Sequence, residues 1–242
     1  METTRSCWGL LRRRQRWVPT WRGWVLLILA GALALSVFVR RIYGFLALTQ
    51  PQPGAVLVVE GWVQDFALKE AVAEYRRHPN GPVYVTGGPF EVGAPLLAYR
   101  TSAELGAARL IKLGLGTNEV QAIPYPSAGQ DRTFTSALML EKWWREHGLS
   151  ATRMNLLTLG PHARRSRLLF QKAFGKHVTV GVIAIAPRDY DPAHWWRTSQ
   201  GFRIVTDETM AYIYARLFFR PLKQVPPEAA GPPAPPPPSP GR

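Results

Sequence analysis

The chain has 242 residues, 46% of them hydrophobic, which is enough to bury a sizeable core and excludes a chain that is disordered by composition. The net charge of +14 suggests a nucleic-acid partner, but half of it lies in residues 1–41, which hold eight Arg against one Glu. These arginines flank an apolar run and are typical of a membrane-insertion signal, so we expect no nucleic-acid partner. The single cysteine, Cys7, precedes that run, which excludes disulfides and cysteine catalysis in everything that follows.

The first predicted element is a membrane segment. The uncharged run WVLLILAGALALSVFV occupies residues 24–39. Arg40 and Arg41 separate it from a second apolar stretch, IYGFLAL. A helix of this run spans about 24 Å, close to the hydrocarbon thickness of about 30 Å. We expect an uncleaved transmembrane helix over residues 24–48, with a cleavable signal peptide as the alternative. Six arginines precede the run, so residues 1–23 are expected to be a basic cytoplasmic segment of a bacterial inner-membrane protein, with the following domain extracytoplasmic.

Residues 49–220 alternate short β-branched runs with segments of helical periodicity, a pattern typical of a parallel sheet with helices on both faces. The predicted fold is therefore α/β: a Rossmann-like, open, mostly parallel sheet of about five strands. The five predicted strands are AVLVVE (55–60), PVYVTGG (82–88), EVQAIP (119–124), RMNLLTL (153–159) and HVTVGVIAIA (177–186).

The predicted helices begin at polar capping residues. Asp65 and Asp131 each precede or open a helical pattern, and Thr101 with Glu104 has the spacing of a capping box. A last helix is predicted over roughly residues 203–219. The proline-rich residues 221–242 are predicted to form an extended, disordered tail.

In an open parallel sheet, ligands bind outside the carboxyl ends of the strands. One of the segments at those ends, GPHARR, opens a helix with Arg164 and Arg165, although cations are unfavourable at a helix N-terminus. Either the two arginines clamp a phosphate or carboxylate there, or they form salt bridges to Asp131, Glu60 or Asp189.

Two residues at these strand ends are candidates for catalysis. His162 is the preferred proton carrier because imidazole titrates near neutral pH, and we expect the neighbouring arginines to favour its neutral, basic form. Asp131 either caps its helix or orients His162. No metal-ligand spacing is evident among His162, Asp131 and Asp189, so no metal is predicted, and the sequence identifies no cofactor.

The remaining candidates for ligand contact directly follow strands. Glu60 either orients a nearby arginine or accepts a substrate hydroxyl, whereas Gly87 and Gly88 either permit a tight turn or let a phosphate approach. The sequence lacks a Walker A loop and the G-x-G-x-x-G, G-x-S-x-G and H-E-x-x-H motifs, which disfavours NTPase, ordinary dehydrogenase, esterase and zincin functions. The full set of predicted ligand-binding residues is Glu60, Gly87, Gly88, Arg132, Thr133, Gly160, Arg164 and Arg165.

Four motifs, VEGW, VTGGP, DRTFTSALML and LGPHARRSRLLFQKAFG, resemble those of the YdcF-like family, a bacterial domain-of-unknown-function family that also contains SanA and ElyC. The resemblance covers about residues 54–220. It implies a Rossmann-like fold, a single membrane anchor as in the SanA-like members, and links to envelope integrity and peptidoglycan precursor metabolism. It implies no settled reaction.

The favoured hypothesis is a membrane-anchored protein of cell-envelope biogenesis that binds an anionic or phosphorylated precursor and transfers or hydrolyses its group. Arg164 and Arg165 would then stabilise charge while His162 or Asp131 moves a proton. The first alternative is a non-catalytic envelope assembly or barrier factor, and the second is a nucleotide-type cofactor-binding transferase. The expected partners are the membrane, an anionic small molecule or lipid-linked precursor, and envelope-assembly proteins; the residues leave open whether the protein is an enzyme.

Overall fold

The computed structural model describes residues 5–6, 11–12, 19–90, 98–125 and 131–220. Most of the basic N-terminal segment and the predicted disordered tail, residues 221–242, lie outside the described residues. The chain divides into two compact units, Met1–Arg40 and Arg41–Arg242.

The N-terminal unit contains most of a long apolar helix. This helix, α1 (Trp21–Leu46), has 26 residues, a mean hydropathy of 2.1 over its most apolar window, and only 6% of that window buried. Its length and composition suffice to cross a membrane, which confirms the prediction of one N-terminal apolar helix. A short antiparallel pairing of Arg5–Ser6 with Leu11–Arg12 precedes it.

The second unit is built on a five-stranded sheet, and every strand pair in it is parallel. Its strands follow the order β3-β2-β1-β4-β5, so the strand order reverses between β1 and β4. The predicted Rossmann-like, open α/β fold is therefore confirmed. The strands are β1 (Val56–Glu60), β2 (Val83–Gly87), β3 (Val120–Pro124), β4 (Arg153–Leu159) and β5 (Thr179–Ile185).

Helices connect and cover these strands. The predicted capping box at the start of the third helix is present, since Glu104 N donates to Thr101 Oγ1 at 3.2 Å and Thr101 N donates to Glu104 Oε2 at 3.0 Å. Asp65 does not cap; it is the first helical residue, and Gln64 holds the cap position. The helices are α2 (Asp65–Arg77), α3 (Ser102–Lys112), α4 (Arg132–Glu146), α5 (His162–Phe174) and α6 (Ser199–Leu217).

The core lies on both faces of the sheet. Val58 and Leu156 belong to a cluster that includes residues of α4 and α5, whereas their neighbours Val59 and Leu157 pack with residues of α2 and α3. Successive residues of a strand point to opposite faces, so β1 and β4 need apolar residues at nearly every position. Each fully buried Val or Leu stabilises the fold by roughly 1.5–3 kcal/mol.

Candidate functional site

A crevice of about 710 Å³ opens at the carboxyl ends of β1 and β2. The starts of α3, α4 and α5 border it, and α6 contributes one acidic side chain. This is the edge of the sheet at which sequence reasoning expects a ligand. The crevice is lined by Glu60, Trp62, Thr86, Gly87, Gly88, Pro89, Phe90, Ser102, Tyr125, Asp131, Arg132, Thr133, Ser136, His162, Arg165 and Glu208.

Glu60 is a buried carboxylate at the end of β1, only 3% exposed. It accepts hydrogen bonds from the Thr158 hydroxyl on β4 and from Ser166 Oγ on α5, the latter at 3.2 Å. Burial alone would raise the pKa of Glu60, but the charge of His162 and hydrogen bonds from His162 and Thr158 outweigh it and lower the pKa. Glu60 is therefore ionised, held by hydroxyl groups and by an imidazole.

His162, the first residue of α5, lies between two carboxylates. Its Nδ1 is 2.7 Å from Glu208 Oε1, and its Nε2 is 3.6 Å from Glu60 Oε2. Burial would lower the pKa of His162, but the charge of Glu60 and hydrogen bonds to Glu208 and Glu60 raise it to about 9. The expectation of a neutral, basic His162 is wrong, because the two nearby carboxylates outweigh the effect of burial on its pKa, even though Arg165 Nη2 lies 2.9 Å from His162 Nδ1. The Trp62 ring packs against the imidazole of His162 in a T-shaped arrangement, with ring centroids 5.1 Å apart.

Arg165 explains part of the unusual charge at the start of α5. Its Nε donates to Glu208 Oε2 at 2.8 Å and its Nη2 donates to Glu208 Oε1 at 3.0 Å, a bidentate pair. Its Nη1 also approaches Thr133 Oγ1 at 3.5 Å. Burial would raise the pKa of Glu208, but hydrogen bonds from His162 and Arg165, and their charges, lower it to about 2. Internal pairing therefore engages Arg165, through an acid that sequence reasoning did not name.

Arg164 does not reach the crevice, which corrects the expected two-arginine clamp. Its guanidinium lies over the Phe45 ring, 3.9 Å from the centroid, and its Nε donates to the Phe45 carbonyl oxygen. The carbonyls at the C-terminal end of α1 lack helical partners and attract a cation, which accounts for this position. Arg167 is likewise engaged elsewhere, because its Nε donates to the Val180 carbonyl at 2.8 Å.

Of the predicted glycines, Gly87 and Gly88 serve close packing rather than a tight turn. Gly87 and Gly88 line the crevice, and neither has a positive φ. A Cβ on Gly87 would lie 2.2 Å from Ser102 Oγ, and one on Gly88 would lie 2.1 Å from the Tyr125 ring. Gly160 does require a left-handed backbone, with φ of 41°, but it does not line the crevice.

The start of α4 borders the crevice, which is lined there by Asp131, Arg132 and Thr133. Asp131 holds the N-cap position predicted for it but makes no side-chain cap bond, and its φ of 61° is left-handed. This conformation is costly for a non-glycine residue and occurs often at functional sites. The residues that hold His162 are Glu208 and Glu60, which take the orienting role expected of Asp131.

Thr86 is a second residue that sequence reasoning missed. It is the fourth residue of β2, 1% exposed, and its Oγ1 is buried without a hydrogen-bond partner in the described part of the chain. A buried hydroxyl without a partner costs on the order of 1–3 kcal/mol. Thr86 lines the crevice, but its hydroxyl oxygen has almost no accessible surface, so a ligand oxygen reaches it only when the lining side chains shift.

Glu208 is the residue that completes the site. It lies on α6 and shares a helical face with the buried residues Val205 and Ala215, three and seven positions away. An acid on the buried stripe of a helix needs a cationic partner, and that is the signal by which the sequence could have identified it.

Comparisons with family models, with curated proteins and with solved structures found no match. Within residues 19–90, 98–125 and 131–220, no group of three or more His, Cys, Asp or Glu side chains is arranged to hold a metal ion. The structure thus defines a Rossmann-like α/β domain with a helix capable of spanning a membrane and a polar crevice at the strand ends.

Proposed function

We propose that this is a membrane-anchored, YdcF-like protein of cell-envelope biogenesis, with its α/β domain on the outer side of the bacterial inner membrane. Its crevice binds an anionic or phosphorylated envelope precursor, for example a lipid-linked glycan intermediate. The apolar helix α1, the charge asymmetry around it and the motifs that resemble the SanA and ElyC family support this proposal.

The charges of the crevice favour an anion. Glu60 and Glu208 are already matched by His162 and Arg165, and the other two charged lining residues, Asp131 and Arg132, have opposite charges, so the six groups sum to zero. The starts of α4 and α5 add the partial positive charge of helix N-termini, together with N–H groups that have no partner within the helix. A phosphate or carboxylate oxygen fits this environment better than a cation does.

The unpaired hydroxyl of Thr86 is the observation that carries the proposal. An oxygen of the ligand accepts its hydrogen bond and removes the cost of burying it. The protonated imidazole of His162 faces the same crevice and is suited to donate a proton to a leaving group or to stabilise developing negative charge. The proposed protein therefore binds its ligand through Thr86 and uses His162 as an acid.

The test is mass-spectrometric identification of what copurifies with the detergent-solubilised full chain. Thr86→Val keeps the shape of the side chain and removes the hydroxyl, so it should lose the copurifying anion while folding as stably as the parent or slightly better. Tyr190→Phe is the matched control, because Tyr190 also has a buried hydroxyl without a partner in the described residues but does not line the crevice. An anion that Thr86→Val retains at the parent level would contradict the proposed mode of binding.

A second variant separates an enzyme from a binding factor. His162→Gln should abolish envelope function in cells but keep the copurifying ligand within about threefold of the parent, because a proton carrier contributes to rate more than to binding. The comparison of function and ligand retention requires that the His162→Gln protein still unfolds in one cooperative transition. Full complementation by His162→Gln would instead favour the non-catalytic assembly factor.

A further inference from the structure

Trp62 presents an exposed aromatic ring to the crevice and has no role in the proposed function. The residue follows β1 and lines the crevice, yet 47% of its surface is exposed. Its ring lies beside the imidazole of His162, with centroids 5.1 Å apart. A single exposed aromatic residue elsewhere on a surface needs no explanation, but one fixed beside the proposed proton carrier indicates contact with the ligand.

The backbone around Trp62 is held in place, so the ring is presented rigidly. Gly61 N donates to the Thr86 carbonyl oxygen at 2.8 Å, and Val63 N donates to the Glu60 carbonyl oxygen at 3.1 Å. Gly61 also lies so close to α3 that an added Cβ would collide with the backbone of the first residue of that helix. Val63 is fully buried with residues of α2 and α3, so the turn directs its neighbour Trp62 away from the core.

Asp131 supplies a hydrogen-bond acceptor to the same crevice. Its side chain makes no cap bond to α4, although it holds the N-cap position. A carboxylate only accepts hydrogen bonds, and its two oxygens can take the protons of two adjacent hydroxyl groups. Because the six charged lining residues sum to zero, a ligand with one anionic group and several neutral hydroxyls suits the crevice better than a polyanion does.

A sugar ring matches this combination of an aromatic face and polar acceptors. The face of an aromatic ring carries partial negative charge, whereas the C–H groups on one face of a pyranose carry partial positive charge, so the two faces attract. A nucleobase also stacks on Trp, but it is commonly held between two aromatic or apolar side chains. Phe90 is half-buried and Tyr125 is 4% exposed, so in the described lining Trp62 offers the most accessible ring.

We infer that the crevice binds a sugar that carries one anionic group, such as a sugar phosphate, with its ring stacked on Trp62 and its hydroxyls bonded to Asp131. The inference rests on the proposed anion site and adds the class of molecule that carries the anion. A crevice of about 710 Å³ is large enough for such a ligand. The same chemistry is found in a free sugar phosphate and in one esterified to a lipid.

The test is calorimetric titration of the detergent-solubilised full chain with defined probes. Two probes are α-D-glucose 1-phosphate and its 2-acetamido analogue, and a third is the octyl phosphodiester of glucose 1-phosphate. Glycerol 1-phosphate has the same anion without a ring, and inorganic phosphate has the anion alone. At least one sugar phosphate should bind about tenfold more tightly than glycerol 1-phosphate, since an aromatic stacking contact contributes up to about 1.4 kcal/mol.

Variants assign this preference to the two residues. Trp62→Leu should abolish it, because Leu keeps apolar bulk but lacks the aromatic face, and Trp62→Phe should restore part of it. Asp131→Asn should weaken the sugar phosphates but not inorganic phosphate, because it removes an acceptor of hydroxyl protons. Phe202→Leu is the matched control and should retain the preference, because Phe202 is 55% exposed but does not line the crevice.

The outcomes separate this inference from the proposed anion site. Sugar phosphates that bind no more tightly than glycerol 1-phosphate would leave the anion site intact and overturn the inference. Tighter binding of uridine 5′-monophosphate than of any sugar phosphate would indicate a nucleotide site and also overturn it. Failure of every probe to bind would refute the anion site and this inference together. Tighter binding of the octyl diester than of the free sugar phosphate would identify a lipid-linked sugar, and equal binding a free one; either supports the inference.

Discussion

Nδ1 of His162 lies 2.7 Å from Oε1 of Glu208, a residue 46 positions later in the chain. The same carboxylate receives the bidentate hydrogen bonds of Arg165, so one acid fixes two cations at the start of α5. Glu60 faces the other nitrogen of the imidazole. The imidazole is therefore held charged in a site where sequence reasoning expects it to be neutral.

Glu208→Gln should destabilise the domain by about 3 kcal/mol, because it leaves two partly buried cations with one carboxylate between them. It should also move the pKa of His162 down from about 9, since a hydrogen bond to a charged acceptor is lost. Urea denaturation gives the free energy, and NMR titration of the imidazole gives the pKa. Glu146→Gln is the control: its pair with Lys142 at 3.8 Å is exposed and should be worth less than about 1 kcal/mol. Equal losses of unfolding free energy in Glu208→Gln and Glu146→Gln would contradict the assigned role of Glu208.

Stability should depend on pH through His162. Its pKa is raised from 6.5 to about 9 on folding, so the stability that it contributes is complete below pH 6.5 and is lost as the pH rises toward 9. The free energy of unfolding should fall by up to about 3 kcal/mol across that range. Glu208, whose pKa is lowered from 4.5 to about 2, acts in the opposite direction: its contribution is present above pH 4.5 and is lost on acidification.

Denaturant titrations of the full chain at several pH values measure this dependence. His162→Gln should show no decline between pH 6.5 and 9, because the titrating group is absent. A parent protein with constant stability over that interval would show that His162 is not held as an imidazolium.

The two adjacent arginines should differ in their effect on stability. Arg165→Gln should cost roughly 3–5 kcal/mol, because it removes the bidentate partner of Glu208. Arg164→Gln should cost about 1 kcal/mol or less, since its main contacts are the Phe45 ring and a carbonyl at the end of α1. Thermal unfolding of the two single variants distinguishes them directly. A larger loss for Arg164→Gln would reverse the assignment.

Gly87→Ala should destabilise the domain by roughly 1–3 kcal/mol and weaken retention of the crevice ligand. Its Cβ would lie 2.2 Å from Ser102 Oγ and 2.7 Å from the Ala103 backbone nitrogen, so the start of α3 must shift. Gly44→Ala is the matched control, because a Cβ at Gly44 meets nothing within 4 Å. Calorimetry and ligand analysis of the purified variants give both quantities, and a fully tolerated Gly87→Ala would refute the close-packing explanation.

Topology can be tested through the single cysteine. A membrane-impermeant maleimide should fail to label Cys7 in intact cells and should label it after lysis, because arginines dominate the N-terminal side of the apolar run. Ser239→Cys, made with Cys7→Ser, should be labelled in intact cells. The reverse pattern would place the domain in the cytoplasm and favour the cofactor-binding transferase.

The strands and most helices could be predicted because each has a local signal. Strands buried on both faces appear as unbroken β-branched runs, and the Thr101–Glu104 capping box marks the start of α3. The start of α6 was predicted four residues late, at Arg203. Its first turn contains Gly201, normally a weak helix former, but Thr198 caps that turn by accepting a hydrogen bond from Gly201 N at 3.1 Å.

The site was predictable only where its residues follow strands. Glu60 and His162 stand at strand ends, so the rule for open sheets identifies them. Arg164 and Arg165 look equivalent in the sequence, yet successive helical residues point about 100° apart, and only Arg165 faces the crevice. Glu208 follows no strand; its one local signal is its place on the buried stripe of the last described helix, and only tertiary packing decides that its partners are His162 and Arg165.

The position of Glu208 late in the chain also determines when the site can be completed during synthesis and folding. Glu60 and its hydroxyl partner Ser166 are 106 residues apart, and Glu208 lies a further 42 residues along the chain, so the site closes through contacts of large sequence separation. A nascent chain that ends after β5 already contains both main core clusters, but it holds Arg165 and His162 with only Glu60 to balance them. Only the arrival of α6 neutralises the second cation. Chains truncated before that helix should therefore be less stable than the full chain, because a partly buried cation keeps no acidic partner.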